Sequence, residues 1–331
     1  MAGLPYLATQ LPELAVHAQR VSQRRIRHGP QLPGWEWPYE VFLAYFRQRF
    51  AETHLSPQAI RERFDAIGLL STDRPLVEVR SIDAHGVRCS QFTRSQISGR
   101  RPSERWLFYL HGGAYVFGSA RSHTPLLARL ARVTRARVLA VDYRLAPEHP
   151  CPAALEDALT AWQWLMDQGV RAQDVVVAGD SAGGGLALSM MLALRDRDRP
   201  QPGRAVLLSP WTDLALTGET LARARYDYLP ELTHLRSFAA HYHGALGPED
   251  PRVSPLYASD LYGLPPMLLL AGGEEAILAD SIRMHERLRE AKVEAELHVE
   301  PHEIHVYPMF AAVSRRGRDG VRRMVRFMGL R

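Results

Sequence analysis

The spacing of apolar and polar positions changes character several times along the 331-residue chain. Residues 1–75 read as helical and irregular, with an aromatic cluster, "WEWPYEVFLAYF", at 35–46. "LVEVRSI" (76–82) and "VRCSQFT" (87–93) then alternate around the turn "DAHG" and predict a hairpin. After the polar loop "SQISGRRPSE", strand-like and helix-like segments take turns: strand 105–110, helix 122–134, strand 137–142, helix 153–168, strand 174–178, helix 182–195 and strand 204–208. A second irregular, helix-prone stretch covers 211–263, and the alternation resumes with strand 267–272, helix 280–291, strand 293–299 and a final helix at 314–329. Such alternation predicts an α/β protein with a mainly parallel, eight-stranded sheet flanked by helices, its first pair antiparallel.

The junction at 175–194, "VVVAGDSAGGGLALSMMLAL", carries the first candidate chemistry. Val175 to Ala178 are β-branched or small and uncharged, and an apolar helix follows from Ala182. Ser181 sits between them, with Gly179 two positions before and Gly183 two after. That is G-x-S-x-G at a strand-to-helix turn, where small neighbours permit a sharp bend that exposes the hydroxyl and the helix N-terminus offers partial positive charge. Taken alone, the motif also fits a glycine-rich turn with an ordinary surface serine. A serine is a poor nucleophile until a base takes its proton, so the remaining parts decide.

Those parts belong beyond the carboxyl ends of the strands. Oxyanion donors are expected from Ala182, which follows the nucleophile, and from Gly112 and Gly113 in "HGGAYVFGS", which directly follows the strand at 105–110. After strand 267–272 the chain reads "GGEEAILADS". Glu275 and Glu274 are both candidate acids; Asp280 looks more like a helix N-terminal carboxylate, and Glu275 is preferred. After strand 293–299, "HVEPHEIHVYPMF" offers His298, His302 and His305. "HEIH" lacks the spacing of H-E-x-x-H and no cysteine joins the cluster, so zinc is not expected. His305, deepest in the loop, is the best base. Ser181, Glu275 and His305 then run in the chain order serine, acid, histidine.

Composition narrows the class further. The chain is 46% hydrophobic and 23% charged with net charge +5, and its longest apolar stretch is too short to span a bilayer. The N-terminus lacks a basic n-region and is interrupted by Pro5 and Pro12, which argues against a signal peptide. Nearly all the positive charge is arginine, Lys292 being the sole lysine, and it is dispersed apart from "RRIR" (24–27) and "RRGRDGVRR" (315–323). Without a basic stripe interleaved with aromatics, solvated helix faces are expected rather than a nucleic-acid partner. The basic segment Leu11–Arg27 leaves contact with an acidic membrane surface open, short of stable insertion. Cys89 and Cys151 are too few for a disulfide framework, and a reducing, cytoplasmic setting is expected.

Six blocks in order make the pattern recognisable: "YLHGGAYVFGS", "VDYRLAPEHPCPAALEDALTAWQWL", "VAGDSAGGGLAL", "LSPWTDL", "AGGEEAILADS" and "EIHVYPMF". From about residue 76 onward the chain resembles the bacterial hormone-sensitive-lipase-like (family IV) carboxylesterases of the α/β-hydrolase fold. The resemblance implies a catalytic core at 76–210 and 264–331, with a helical cap from residues 1–75 and 211–263. It also implies an oxyanion hole from Gly112 and Gly113, a Ser181–Glu275–His305 triad, no cofactor, and short- to medium-chain acyl esters as substrates. Two departures stand out: Ala114 where many members have a third glycine, and Cys151 where an aromatic is common. A lactonase or amidase would use the same triad. A non-catalytic small-ligand receptor, such as the plant gibberellin receptors that resemble this family, would lack a working histidine. The expected partner is a small-molecule ester, a homodimer remains open as the assembly, and the aromatic segment at 35–46 is expected to wall the acyl pocket.

Overall fold

A computed structural model describes residues 3–51, 56–95, 104–222, 225–228 and 232–330. Most of the polar loop read at 95–104 therefore lies outside the described residues. Three helices come first: α1 (Gly3–His28), α2 (Trp37–Ala51) and α3 (Pro57–Ile67). The core then runs β1 (Val77–Ala84), β2 (Val87–Arg94), β3 (Trp106–Leu110), α4 (Thr124–Thr134), β4 (Arg137–Val141), α5 (Ala153–Asp167), β5 (Val175–Asp180), α6 (Ala182–Asp196) and β6 (Arg204–Leu208). After a long excursion that includes α7 (Leu232–His243), it closes with β7 (Met267–Gly272), α8 (Leu278–Glu290), β8 (Ala295–Glu300) and α9 (Arg315–Met328).

The eight strands form one sheet in the order β1-β2-β4-β3-β5-β6-β7-β8. The β1–β2 hairpin closes through His85 (φ 54°) and Gly86 (φ 89°), both in the left-handed region that matches a hairpin's twist. β2 is antiparallel to β4 as well as to β1, and every pairing from β4 through β3 to β8 is parallel. β3 and β5 are buried along their whole length, the environment in which a strand reads as a continuous apolar run.

Strict alternation sends successive side chains to opposite layers. Phe108, Leu110, Val175 and Val177 join Trp162 of α5 and Leu186 of α6 on one face. Leu107, Tyr109, Val176 and Ala178 join Leu127 of α4 and Met324 of α9 on the other. Three arginines of α9 form ion pairs, Arg316 with Glu300, Arg318 with Glu36 and Arg322 with Asp319. A third, aromatic cluster joins the N-terminal helices to the C-terminal loops through Trp35, Tyr39, Phe46, Tyr228, Ile304 and Phe310. Cys89 and Cys151 are free and buried. Among the described residues, no helix is long and apolar enough to cross a membrane.

Candidate active site

Ser181 stands between the central strand β5 and α6, with φ 53° and ψ −122°. A non-glycine residue in this region costs about 1–3 kcal/mol and persists only where its surroundings hold it. Here its N–H donates to the Leu208 carbonyl (2.8 Å), and its own carbonyl accepts from Gly184 (3.0 Å) and Trp211 (2.9 Å). The flanking glycines answer to close approach. A Cβ on Gly179 would lie 2.3 Å from the Gly183 carbonyl oxygen, and one on Gly183 would lie 2.1 Å from that of Leu110. Any side chain at either position would push helix from strand and move the serine.

The loops after β7 and β8 bring a carboxylate to a histidine. Glu275 is buried; its Oε2 accepts from the Ser209 hydroxyl (2.5 Å) and the Gly272 amide (3.0 Å) and lies 3.8 Å from Nδ1 of His305. That last separation is an ion-pair distance rather than a closed hydrogen bond. Ser209 ties the two loops together, because its Oγ also accepts the Val306 amide (2.9 Å). Val306 itself has φ 51°, an unusual setting for a β-branched residue, directly after His305. Burial drives the His305 imidazolium down, but Glu275, Asp227 and Asp180 outweigh it and the net direction is up.

The other candidates fall elsewhere. Glu274 is half-buried and pairs with the more exposed His302 at 3.5 Å, while His298 pairs with Glu300 at 3.0 Å within β8. Asp280 accepts the Thr212 and Asp213 amides, each at 2.8 Å, and burial followed by the Asp213 charge pushes its carboxyl up to about 8. It braces the loop after β6. The three histidines each face a different carboxylate, and among the described residues no group of His, Cys, Asp or Glu is arranged to hold a metal ion.

The glycine loop after β3 departs from expectation in one respect. Gly112 lines the pocket, but its N–H points into the protein, donating to Asp180 Oδ1 (3.0 Å) with His123 Nε2 at 3.3 Å. An amide so engaged is not free for an oxyanion. The amides of Gly113, Ala114 and Ala182 have no protein acceptor among the described residues. Asp180 also takes the Tyr109 hydroxyl (2.7 Å) and faces His123 Nε2 at 3.2 Å. Burial raises Asp180 and lowers His123, yet their mutual attraction prevails, holding the carboxyl low and the imidazole high. His111, buried beside that cation, is pushed down to about 3 and stays neutral. A buried ion pair therefore anchors the loop next to the serine.

Ser181, His305, Gly112 and Gly113 line one pocket of about 560 Å³ including its mouth, walled by Phe46, Phe64, Phe117, Tyr228, Phe238 and Met309. Phe46 thus brings the 35–46 segment to the pocket. Its companions do other work: Phe42 packs on Phe310, and Tyr45 turns toward His17 of α1.

Comparison with known proteins places the fold in a family. Residues 107–309 match a family model described as the α/β hydrolase fold. An esterase of Acinetobacter venetianus is 36% identical over 78% of this chain and 86% of its own length. An acetyl-hydrolase of Streptomyces hygroscopicus is 39% identical over 69% and 77%. The solved structure of an esterase from the bacterial hormone-sensitive lipase family superposes with a TM-score of 0.80 at 34% identity, covering 86% of this chain and 96% of that one. The chain belongs to that family. It is a bacterial hormone-sensitive-lipase-like esterase, a carboxylic ester hydrolase of the α/β-hydrolase fold.

In this hormone-sensitive-lipase-like esterase, sequence reading missed four polar residues around the site: His123, Asp180, Ser209 and Asp227. Asp180 and Ser209 stood inside quoted motifs, beside Ser181 and in "LSPWTDL". Their position at the ends of β5 and β6 was the available signal. Nothing in the sequence around His123 or Asp227 distinguished them from surface polar residues.

Proposed function

We propose that the enzyme hydrolyses short- to medium-chain acyl esters through a Ser181–Glu275–His305 triad. Ser181 Oγ attacks the ester carbonyl carbon while His305 takes its proton. The resulting oxyanion is met by the amides of Gly113, Ala114 and Ala182, each such donor contributing roughly 3–4 kcal/mol in comparable sites. Collapse releases the alcohol, which takes the proton from His305, and leaves an acyl-serine. Water activated by the same histidine then attacks the acyl carbon, freeing the acid and restoring Ser181. Glu275 holds the imidazole in orientation and stabilises its charged form.

The observation that carries the reading is that Ser181 and His305 line one apolar pocket with buried Glu275 behind the imidazole. Support for small acyl groups comes from the aromatic walls and from relatives named as an acetyl-hydrolase and, in Pseudomonas putida, an ethyl acetate hydrolase. The helices α1–α3 and the 211–263 segment serve in this reading as the cap that supplies those walls. The test is hydrolysis of p-nitrophenyl esters from acetate to palmitate. Wild type should favour the short and medium chains, and Ser181→Ala should lose on the order of 10⁶-fold in kcat. Retention of a tenth of wild-type activity would move the nucleophile elsewhere.

A further inference from the structure

Asp227 lies in the excursion between β6 and α7, outside every motif of the sequence, yet its carboxylate touches both triad loops. Its Oδ2 accepts the amide of Ala276, the residue after Glu275, at 2.9 Å. Its Oδ1 accepts the amide of His305 at 3.3 Å and that of Tyr228 at 2.8 Å. Three N–H donors converging on two oxygens are suited to the ionised form. The neighbouring Tyr228 ring meets the His305 ring edge-on at 5.9 Å and Phe46 of α2 at 4.9 Å. Arg47 of α2 donates to the Tyr226 carbonyl, so this short segment is fastened to the N-terminal helices on one side and to the catalytic loops on the other.

We propose that Asp227 is a positioning residue through which the cap sets the spacing of Glu275 and His305 and favours the protonated imidazole. The proposal rests on the triad reading above. A purely local role would need only the bond to the next residue, Tyr228. The bonds to Ala276 and His305 reach 49 and 78 residues along the chain, into the two loops whose relative placement governs catalysis. Glu275 Oε2 and His305 Nδ1 stand 3.8 Å apart, and Asp227 bonds the backbone on both sides of that gap. The charged groups facing His305 are Glu275 from the acid loop, Asp227 from the cap and Asp180 from the elbow, each favouring the imidazolium. Asp227 itself is pushed up by burial, with His305 and the Ala276 amide opposing.

The sign of the test follows. Removing the Asp227 charge destabilises the imidazolium, so the acid limb of kcat/KM, where His305 loses its proton, should move to lower pH. Asp227→Asn also gives up one acceptor and should lower kcat about 10–100-fold with KM for p-nitrophenyl acetate changed little, as expected of misplaced catalytic groups. Asp227→Glu restores the charge and should return the limb toward the wild-type pH while kcat stays reduced. Thermal unfolding of each variant accompanies the kinetics. Wild-type kcat and limb in Asp227→Asn would overturn the proposal, as would equal losses in both variants with the limb unmoved. Should Asp227→Asn not fold, Asp227→Ser, which keeps a hydroxyl acceptor without the charge, takes its place: an acid limb moved to lower pH upholds the proposal and an unmoved limb overturns it. Turnover by wild type and its loss in Ser181→Ala report separately on the triad.

Discussion

Glu274 and Glu275 are neighbours in sequence with opposite surroundings. Glu275 is buried and accepts two hydrogen bonds behind His305, whereas Glu274 is half-buried and pairs with His302. Glutamine at 275 keeps the size and can set its one carbonyl oxygen where Ser209 and Gly272 both donate, but it carries no charge and no longer stabilises an imidazolium. Glu275→Gln should therefore cost about 10⁴-fold in kcat, by analogy with loss of a triad carboxylate. Glu274→Gln should stay within a few-fold of wild type. Steady-state kinetics on p-nitrophenyl acetate distinguish the two, and the reverse ranking would reassign the acid. At this scale the sequence was legible where a motif fixes the backbone: G-x-S-x-G forces a turn that only glycines tolerate on either side of Ser181. It was not legible at Gly112, because which way an amide points depends on Asp180 and His123, a contact made across 68 and 11 residues.

Among the elements, the loop after β8 depends most on parts far away in sequence. Trp35 Nε1 donates to the His302 carbonyl (2.6 Å), and the Tyr39 hydroxyl donates to Glu303 Oε2 (2.8 Å). Burial raises Glu303 to about 7, with the Tyr39 hydrogen bond and Arg316 opposing. A truncation that removes residues 1–46 takes away both ties and the Phe46 wall, and it exposes Ile304 and Phe310. The sheet draws its two buried layers from β-strands and α4–α6, α8 and α9, so it should persist. We expect far-ultraviolet circular dichroism to retain the core signal while kcat/KM falls at least about 100-fold and acyl discrimination flattens. Unchanged kcat/KM across the acyl series in a folded truncation would make this segment irrelevant to the site. Periodicity located β3 to β7 because buried parallel strands are short apolar runs between helices. It could not give the β1-β2-β4-β3 order, which is set by pairing partners far apart in the chain.

For the molecule as a whole, the sheet places its central strand β5 so that the Ser181 turn emerges in the middle of one edge, with the loops that carry Glu275 and His305 arriving from β7 and β8 and the glycine loop from β3. Aromatic side chains from before β1 and after β6, among them Phe46, Phe64 and Phe238, line the pocket there. The account turns on Ser181 being an activated nucleophile in this setting, since the strained elbow, the free amides and the buried imidazole have no common purpose otherwise. Treatment with a p-nitrophenyl phosphonate, followed by mass spectrometry of the digested protein, tests this directly. Stoichiometric loss of esterase activity with a single adduct on Ser181, absent from Ser181→Ala, is the predicted result. An inactivated enzyme carrying its adduct on another residue, or full activity with Ser181 modified, would contradict it.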